Sequence, residues 1–428
     1  MKATNKYAVL AVAVLLASCG GSGPAPDRTP AITAQPSSQA VATGSAVTFS
    51  VAASGANLRY QWSRDGSPVA GATGASWTVP AVKLDDSGSK WTVAISNGAG
   101  NVASDAATLK VTGIELFAGS ATEVGYADGA RTAARFNYAA GLAFDSAGNL
   151  FVADEFNDTI RKIAPDGTVS TFAGVAGDRI SDRRDGPVAQ ARFARPYGVS
   201  FDRAGNLYVA DSYTLAVRKV STAGIVSTVY NLPVGDGFIG RSGPFFGPTG
   251  VAVDLAGSVH ITNGAGTRKV APDGSVTVVE GTNTIDNLGG TMFPMVRGLF
   301  MDGAGNMYRA NLGATIGKTA PDGTVAVIAG SPDAPGAKDG SGAAAQFSRE
   351  MMLAADGAGN VYVADLGNYA VRKVTPAGVV TTVVGELGVS GSRLGALPGQ
   401  IGSPRGIAID ASGALYVSIS TGILKIRL

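Results

Sequence analysis

The sequence predicts an all-β fold made of a small β-sandwich followed by a ring of repeated four-stranded sheets. A pattern of fourteen residues recurs six times in the C-terminal two thirds of the 428-residue chain. Before it, a stretch of about eighty residues alternates short apolar runs with turns rich in Gly, Ser, Asn and Asp, which is typical of a sandwich. The chain has one cysteine, near its N-terminus, so its domains must be stabilised by buried apolar area without internal disulfides.

The first eighteen residues have the composition of a secretory signal. Lysines precede an apolar run from Tyr7 to Ala17, which is too short to span a bilayer as a mature anchor. The run leads into Leu16-Ala17-Ser18-Cys19, which resembles a bacterial lipobox, where cleavage leaves a lipid-bearing N-terminal cysteine. We predict residues 1–18 as a lipoprotein signal peptide and Cys19 as the lipidation site. The resemblance implies an exported protein at the outer membrane or cell surface of a bacterium, and an ordinary signal peptide with a chance cysteine is the alternative.

Residues 19–30 are small, polar and rich in Pro and Gly, which predicts a flexible tether. Loss of the signal peptide removes two of the 34 Lys and Arg side chains, which leaves 32 positive charges against 32 Asp and Glu. A neutral chain lacks the clustered positive charge that phosphate binding requires, so we exclude nucleic acid as a partner. The predicted membrane contact is the lipid on Cys19 alone.

Residues 31–112 are predicted to form the sandwich. The runs that read as strands are Ala46–Ala52, Leu58–Arg64, Ala75–Val79, Lys90–Ser96 and Ala106–Val111. Tyr60-Gln61-Trp62, and Asp86-Ser87-Gly88 followed by Trp91, resemble strands C and F of an immunoglobulin-like domain. The resemblance implies a spacer or adhesion module with Trp62 and Trp91 in its core. The positions of the family's two bridging cysteines are Val51 and Val93 here, which predicts apolar packing in place of the disulfide.

Residues 113–428 carry the repeats. The copies are GLAFDSAGNLFVAD (Gly141 to Asp154), GVSFDRAGNLYVAD (Gly198 to Asp211), GVAVDLAGSVHITN (Gly250 to Asn263), GLFMDGAGNMYRAN (Gly298 to Asn311), MLAADGAGNVYVAD (Met352 to Asp365) and GIAIDASGALYVSI (Gly406 to Ile419). Their first aspartates recur every 48 to 57 residues, which is the length of one four-stranded β-propeller blade.

Each copy has the pattern of two antiparallel strands. The apolar run before the aspartate predicts a buried first strand, Asp-x-x-Gly predicts a tight turn, and the next apolar run predicts a second strand. A third strand carries an Arg-Lys-apolar triplet, as in Arg161-Lys162-Ile163. A Pro-Asp-Gly turn then leads to a fourth strand, such as Val169–Ala173.

The segment from Gly141 to Lys162 resembles an NHL repeat, because it matches Gly-apolar-x-Asp-x-x-Gly-Asn-apolar-Tyr-Val-Ala-Asp-x-x-Asn-x-x-Ile-Arg-Lys almost fully. The resemblance implies a six-bladed β-propeller, a fold that hosts binding, scaffolding and catalysis alike. The last copy stops after a third strand, Ile423–Ile426, whereas Ile114–Gly119 reads like a fourth strand with no blade before it. We predict that these two segments pair and close the ring, which leaves no open edge.

Ligand binding is expected at one end of the propeller. Because successive strands are antiparallel, the first strands begin where the second strands end, and the long connections reach that end. These connections are Val175–Arg192, Gly235–Pro244, Ser331–Gln346 and Glu386–Gln400. We call this end the long-loop face, and the end with the Asp-x-x-Gly and Pro-Asp-Gly turns the short-turn face. The candidate binding residues directly precede the first strands and are Tyr197, Thr249, Arg297, Met351 and Arg405, with Ala140 in the first copy.

A second ring of candidates directly follows the second strands. It consists of Asp154, Asp211, Asn263, Asn311 and Asp365, with Ile419 in the last copy. Five oxygen-bearing side chains around an axis could hold calcium, which would polarise a lactone or ester carbonyl. The alternative is structural, because each aspartate has an arginine seven residues later and can pair with it locally. The mixed-charge run Asp178–Asp185 is interpreted as a solvated loop or a partner contact.

The sequence offers few catalytic groups. His260 is the one histidine, and it occupies the position of Phe151 in the first copy, so we interpret it as a replaced aromatic side chain. With Cys19 lipidated, the chain has neither a histidine zinc cluster nor a thiol nucleophile, and we predict no catalytic residues and no required cofactor.

The leading hypothesis is therefore a lipid-anchored binding or scaffold protein whose propeller recognises a protein or a glycan. The sequence leaves two alternative functions open. One is a calcium-dependent lactonase or esterase centred on the second ring of candidates. The other is a structural adhesion or spacer component without a defined pocket.

Overall fold

The computed structural model describes residues 28–177, 183–232, 247–263, 266–281, 296–311, 314–332 and 334–428. The predicted signal peptide, Cys19, residues 19–27 of the predicted tether and the predicted loop at 235–244 lie outside these ranges. Within them, the helices are 3-10 turns of three residues each: Leu84–Asp86, Arg131–Ala133, Glu155–Asn157, Gly342–Ala344 and Leu366–Asn368. No helix in the described ranges has the length and apolar character needed to cross a membrane.

The N-terminal part of the described chain consists of short strands. They are β1 (Ala31–Ala34), β2 (Gln39–Ala42), β3 (Val47–Ser50), β4 (Ala52–Ser54), β5 (Arg59–Arg64), β6 (Ser67–Pro68), β7 (Ser76–Val79), β8 (Lys90–Asn97), β9 (Gly100–Ala103) and β10 (Ala107–Gly119). All five predicted strands are present, as β3, β5, β7, β8 and β10, and β1, β2, β4, β6 and β9 are additional. Strand β1 pairs with β4 and β3 with β7, while β8 pairs with β5 and β9.

The described chain divides into two compact units. The first contains the residues up to Ser38 together with Thr48–Thr78 and Ser89–Thr108, and the second contains Gln39–Val47, Val79–Gly88 and Leu109–Leu428. Residues of β2 belong to the second unit because they pair in parallel with Leu109–Thr112 of β10. The domain boundaries 31–112 and 113–428 remain a prediction.

Aromatic side chains form the core of the first unit. Phe49 and Trp62 have no exposed surface, and the Phe49 ring lies 6.3 Å from that of Trp62 and 5.2 Å from that of Trp91. Val51 and Val93 are also buried. The core roles predicted for the two tryptophans and the two valines are therefore confirmed by their burial.

The second unit consists mainly of repeated sheets. Strands of the first five repeats and their incoming loops are β11 (Gly129–Ala130), β12 (Ala139–Phe144), β13 (Leu150–Asp154), β14 (Thr159–Ile163), β15 (Thr168–Ala173), β16 (Gly186–Pro187), β17 (Pro196–Phe201), β18 (Leu207–Asp211), β19 (Ala216–Val220), β20 (Ile225–Asn231), β21 (Gly250–Val253), β22 (Val259–Asn263), β23 (Gly266–Val270), β24 (Val276–Gly281), β25 (Val296–Met301), β26 (Met307–Asn311), β27 (Thr315–Thr319), β28 (Val325–Gly330), β29 (Gly340–Ser341), β30 (Glu350–Ala355), β31 (Val361–Asp365), β32 (Ala370–Val374) and β33 (Val379–Val384).

Each of these five repeats forms its own antiparallel sheet, in which the four strands lie in chain order. Three sheets gain a two-residue fifth strand from the incoming loop, because β11, β16 and β29 pair with the fourth strands of their repeats. The long loops are thus partly structured, which the sequence pattern does not predict. The chain has an all-β fold with a propeller arrangement, in which five blades stand as separate sheets.

The last repeat contributes three strands, β34 (Ile407–Ile409), β35 (Leu415–Ile419) and β36 (Gly422–Arg427). Strand β36 pairs with β10, so that Ile426 lies opposite Ile114 and Leu424 opposite Leu116. The pairing predicted for the two chain segments is therefore present. Strand β10 thus completes the sheet formed by the last three strands of the chain.

The predicted tight turns are also present. In the first repeat, Gly148 N donates to Asp145 O at 3.1 Å, and Gly148 has a φ of 79°, in the left-handed region where glycine is favoured. The Asp145 carboxylate accepts from the backbone N–H of Asn149 at 2.8 Å. The aspartate of the repeated pattern therefore stabilises the turn in which it lies.

The first strand of every repeat, called here the inner strand, lines one cavity of about 300 Å³. The inner strands are β12, β17, β21, β25, β30 and β34. Apart from Ser200, the lining residues are apolar or glycine. Lining residues toward the long-loop face, such as Leu142 and Val199, are buried, whereas Phe144 and Phe201 toward the short-turn face are partly exposed. The lining residues are therefore less buried toward the short-turn face.

The glycine that begins an inner strand allows close packing of the neighbouring repeat. A Cβ on Gly141 would lie 2.4 Å from the carbonyl oxygen of Tyr197, and a Cβ on Gly406 would lie 2.0 Å from that of Ala140. Ser418 bridges the second of these junctions, because its hydroxyl accepts from Gly406 N and donates to Ala140 O, both at 2.7 Å. The repeated glycine is thus required by backbone contact between repeats.

Candidate functional site

Three fully buried arginines lie in the third strands of the first, second and fifth repeats. They are Arg161, Arg218 and Arg372. In each of these repeats, the arginine Nη1 donates to Oδ2 of the aspartate that ends the second strand. The distances are 2.8 Å to Asp154, 3.0 Å to Asp211 and 2.9 Å to Asp365. These aspartates have no exposed surface either. The structure therefore contains the local pairing that the seven-residue spacing indicates.

A second aspartate, from the incoming loop, binds the other side of each guanidinium. In the fifth repeat, Arg372 Nη2 lies 2.7 Å from Asp339 Oδ1, and the guanidinium stands 5.2 Å from the Phe347 ring. Asp128 and Asp185 bind Arg161 and Arg218 in the same way. Residues 183–185 are exposed, as expected of a solvated loop, but the Asp185 carboxylate also pairs with a buried cation, which the charge pattern does not predict. Residues 178–182 of that run lie outside the described chain.

The residues of the second candidate ring form hydrogen bonds within their own repeats. Asp365 Oδ1 accepts from Ser348 N, and Oδ2 accepts from Asn368 and Arg372. Asn263 accepts from Arg268 at 3.2 Å, and Asn311 donates to Thr315 at 3.1 Å. In the described ranges, no three His, Cys, Asp or Glu side chains come together as metal ligands. The contacts support the structural interpretation of this ring over the calcium-dependent hydrolase.

His260 stands in the aromatic position of its repeat, opposite Lys269, as Phe151 stands opposite Lys162 in the first repeat. His260 Nε2 lies 3.1 Å from Asp254 Oδ2, and the Tyr308 hydroxyl makes the equivalent contact with Asp302 at 3.2 Å. Burial lowers the pKa of His260, although the hydrogen bond to Asp254 opposes the shift. The histidine replaces an aromatic side chain, as its place in the repeat indicates.

His260→Tyr is expected to flatten the pH dependence of stability. Because the folded pKa of His260 is lowered, the unfolded chain binds a proton more readily, and the free energy of unfolding falls as the pH drops below about 6.5. Tyrosine keeps the bond to Asp254 but does not titrate there. Denaturant unfolding gives the free energy of unfolding at pH 7.5 and at pH 5.5. Between these two pH values the wild type should lose up to about 1 kcal/mol more of it than the variant loses. Equal losses in both proteins would contradict this role of His260.

Three of the five predicted face residues come together. Tyr197, Arg297 and Arg405 converge on the long-loop face, where Arg405 stands 5.6 Å from the Tyr197 ring. Burial raises the pKa of Tyr197, although the positive charges of Arg405 and Arg297 oppose the shift. Thr249 instead bonds to Thr262 within its own repeat. The side chain of Met351 lies outside the described residues.

The centre of this convergence is Glu155, which is 5% exposed. Arg405, 250 residues later in the chain, forms an ion pair with it, and Arg195 and Arg297 also act on it electrostatically. We call Glu155, Arg195, Tyr197, Arg297 and Arg405 the arginine cluster. It joins residues of the first, second, fourth and last repeats.

Aromatic side chains extend the arginine cluster across the face. Arg405 stands 5.1 Å from the Tyr138 ring, which contacts Phe156 edge to face at 4.5 Å, and Arg195 stands 4.7 Å from the Phe156 ring. Tyr138 is 38% exposed and has a φ of 61°, a left-handed conformation that costs free energy in a side-chain-bearing residue. The result is a row of two rings between two cations that we call the aromatic row: Arg405, Tyr138, Phe156 and Arg195.

The arginine cluster favours electron-rich ligand groups. Burial raises the pKa of Glu155, while Arg405 and the two other arginines oppose that rise. Three guanidinium groups face two carboxylates, Glu155 and Asp158, so the local charge is positive. Arg195, Arg297 and Arg405 are partly exposed. Their guanidinium groups can therefore donate hydrogen bonds to hydroxyl or anionic oxygens from a preformed, partly desolvated position.

Sequence reasoning did not identify Glu155, Tyr138, Phe156 or Arg195. A signal exists for Glu155, because the position after the second strand is acidic in the first copy alone. The other copies have Ser212, Gly264, Leu312, Leu366 and Ser420 there. The residues of the site thus share one feature, which is that they differ from the residues at the equivalent positions of the other repeats.

Comparison with known proteins adds information on the fold. No family model matches the sequence. The decoration protein of Escherichia phage T5 is 41% identical over 78 residues, which are 18% of this chain and 46% of that protein. The chain therefore spans about half the length of this curated relative.

Solved structures match over most of the chain. An auxiliary nutrient binding protein from Bacteroides ovatus has a TM-score of 0.65 at 16% identity, covering 92% of this chain and 97% of its own. A second such protein, from Bacteroides thetaiotaomicron, has a TM-score of 0.57 at 15% identity, with 94% and 98% covered. A structural genomics protein of unknown function from that organism has a TM-score of 0.59 at 18% identity, with 94% and 98% covered. At these identities the similarity shows the fold alone, an all-β chain with a β-propeller arrangement.

Proposed function

We propose that the chain is an exported, lipid-anchored binding protein, in which an immunoglobulin-like domain carries a six-bladed NHL-type β-propeller and the long-loop face binds a glycan. Two observations support six blades with closure by the first strand. Inner strands from six repeats line one cavity, and β10 supplies the fourth strand of the last sheet. The lipobox pattern ending at Cys19 supports the anchor.

The arginine cluster with its aromatic row is the observation that carries the binding function. Sugar rings present apolar C–H faces and a rim of hydroxyl groups. Tyr138 and Phe156 offer ring surface for the faces, while Arg195 and Arg405 offer donors for the hydroxyl oxygens. These side chains are held by mutual contacts in the free protein, which lowers the entropy cost of binding.

Two structural neighbours agree with a binding role. They are auxiliary nutrient binding proteins, and they share the fold over nearly the whole chain. That likeness supports a binding role by analogy of fold, whereas the choice of a glycan rests on the chemistry of the site alone.

Tyr138→Ala is expected to weaken glycan binding at least about tenfold, because it removes the most exposed ring of the aromatic row. A glycan array with the purified Cys19→Ser protein selects the ligand, and calorimetric titration compares the variants. Tyr213→Ala is the matched control, since Tyr213 is 58% exposed, follows a second strand and makes no contact with the row in the described structure. Melting temperatures of both variants check that the fold is kept.

Absence of any glycan ligand, or equal losses in Tyr138→Ala and Tyr213→Ala, would overturn the proposal. Capture of a protein partner that is lost in Tyr138→Ala alone would keep the face but replace the glycan by a protein.

A further inference from the structure

The arginine cluster exposes its cations and buries the carboxylates beside them. Glu155 and Asp158 are 5% and 4% exposed. Glu155 forms the ion pair with Arg405, and Asp158 Oδ1 accepts from the backbone N–H of Arg195 at 2.9 Å. The side chains of Arg195, Arg297 and Arg405 are instead partly exposed. A ligand that reaches the long-loop face therefore meets guanidinium groups, whereas the two carboxylates are almost inaccessible to it.

The charges of the cluster do not cancel. Arg195, Arg297 and Arg405 each act electrostatically on Glu155, and Asp158 is the second carboxylate that does so. Three positive charges thus stand against two negative charges. Salt screens partly buried charges less than fully exposed ones, so the excess remains effective at ordinary ionic strength. The cluster therefore attracts an anionic group.

Acidic side chains of the incoming loops have cationic partners of their own. Glu123 pairs with Arg135 at 2.9 Å, and Glu386 pairs with Arg393. The buried arginines of three repeats bind the loop carboxylates Asp128, Asp185 and Asp339. The side chain of Glu350 is not among the described residues. Within the described part of these loops, the carboxylates therefore do not offset the positive charge of the cluster.

A further cation lies on this face at a strained position. Tyr138, Arg195 and Arg349 are equivalent, because each lies three residues before its copy of the fourteen-residue pattern. Their φ angles are 61°, 51° and 55°, in the left-handed region where glycine is favoured. Side chains in this conformation cost free energy, and such residues are concentrated at functional sites. Arg349 is exposed. The chain therefore places one ring and two cations where glycine would be less strained.

We propose that the ligand of the long-loop face is an acidic glycan. Its carboxylate or sulfate group binds the exposed guanidinium groups of the arginine cluster, while its sugar rings contact Tyr138 and Phe156. Hydrogen bonds from a guanidinium group to an anionic oxygen are about twice as strong as those between neutral groups. The site therefore prefers a charged sugar over a neutral sugar of the same shape. This proposal rests on the proposed function and adds the charge of the ligand to it.

A glycan array that holds neutral, carboxylated and sulfated glycans tests the charge, using the purified Cys19→Ser protein. We expect the tightest ligands to be acidic. Titration then compares the best ligand with the same glycan after reduction of its carboxyl groups or removal of its sulfate. The neutral product should bind at least about tenfold more weakly. Raising the salt from about 0.05 M to about 0.5 M should weaken the acidic form and change the neutral product little.

The outcomes separate this proposal from the proposed function. Neutral glycans that bind as tightly as acidic ones would overturn the acidic ligand and leave glycan binding intact. Absence of any glycan ligand would overturn both.

Variants of single arginines locate the acidic group. Arg195→Gln should weaken the acidic ligand about tenfold and its neutral product by at most about threefold, whereas Arg195→Lys, which keeps the charge, should lose less. Arg203→Gln is the matched control and should change neither affinity, because Arg203 is exposed in an Asp-x-x-Gly turn on the short-turn face. If Arg195→Gln does not fold, Arg349→Gln replaces it. Equal losses in Arg195→Gln and Arg203→Gln, or equal losses for the acidic and neutral forms, would show that the cluster does not bind the acidic group.

Discussion

Arg372→Met is expected to lower the free energy of unfolding by about 3 to 5 kcal/mol. The substitution leaves Asp365 with no exposed surface and without its cationic partner. It also removes the donors to the carbonyl oxygens of Lys338 and Gln346, which hold the incoming loop. Methionine has a similar length, so loss of packing contributes little. Denaturant unfolding of the purified protein measures the change.

The adjacent lysine provides the matched control. Lys373→Met removes a cation from the same strand, but Lys373 is partly exposed and stands over the Tyr362 ring, so the expected loss is below about 1 kcal/mol. Burial already raises the pKa of Asp365. Without Arg372 the pKa of Asp365 should rise further, so Asp365 takes up a proton as the pH falls from 7 to 5. The loss in free energy of unfolding caused by Arg372→Met should therefore be smaller at pH 5 than at pH 7. A loss equal to that of Lys373→Met would show that the buried pair is not a major support of the blade.

Gly406→Ala is expected to disrupt the junction between the last repeat and the first. The new methyl carbon would lie 2.0 Å from the carbonyl oxygen of Ala140, which is backbone and cannot rotate away. It would also press on the Ser418 hydroxyl, which bridges the two repeats. Overpacking of this kind costs about 1 to 3 kcal/mol where side chains can move and more where backbone must shift. We expect a loss of at least about 3 kcal/mol, or a protein that does not fold.

Gly402 offers a control four residues away, because a Cβ there meets nothing within 4 Å and its φ is not in the left-handed region. Gly402→Ala should leave the melting temperature unchanged or slightly raised. Thermal unfolding followed by circular dichroism compares the two variants. Similar melting temperatures for both would mean that the inner strands of the last and first repeats are not in backbone contact.

The parts of the fold that recur in every copy of the repeat could be predicted from the sequence. Because every copy presents the same alternation of strand and turn, the strands, the turn at Gly148 and the pairing of Ile114 with Ile426 follow from alignment of the copies. The pairing of Asp365 with Arg372 follows from a spacing that recurs in three copies. The second partner, Asp339, also recurs at a fixed distance of 33 residues from its arginine, but it lies in a loop whose other residues vary.

The candidate site was predictable only in part, because it is built from residues that break the repeat. Tyr197, Arg297 and Arg405 could be placed on one face from strand direction alone. Glu155 could not be paired with Arg405, since that contact joins residues 250 positions apart and depends on closure of the ring. The same holds for the cavity, whose apolar residues are indistinguishable in sequence from an ordinary buried strand.

Hydrogen–deuterium exchange with and without the selected glycan tests most directly whether the long-loop face is the binding surface. We predict slower exchange in peptides that contain Tyr138, Glu155–Asp158, Arg195–Tyr197 and Arg405, and unchanged exchange at the Asp145–Gly148 turn. Protection confined to the short-turn face, or to the strands that precede β10, would contradict the account.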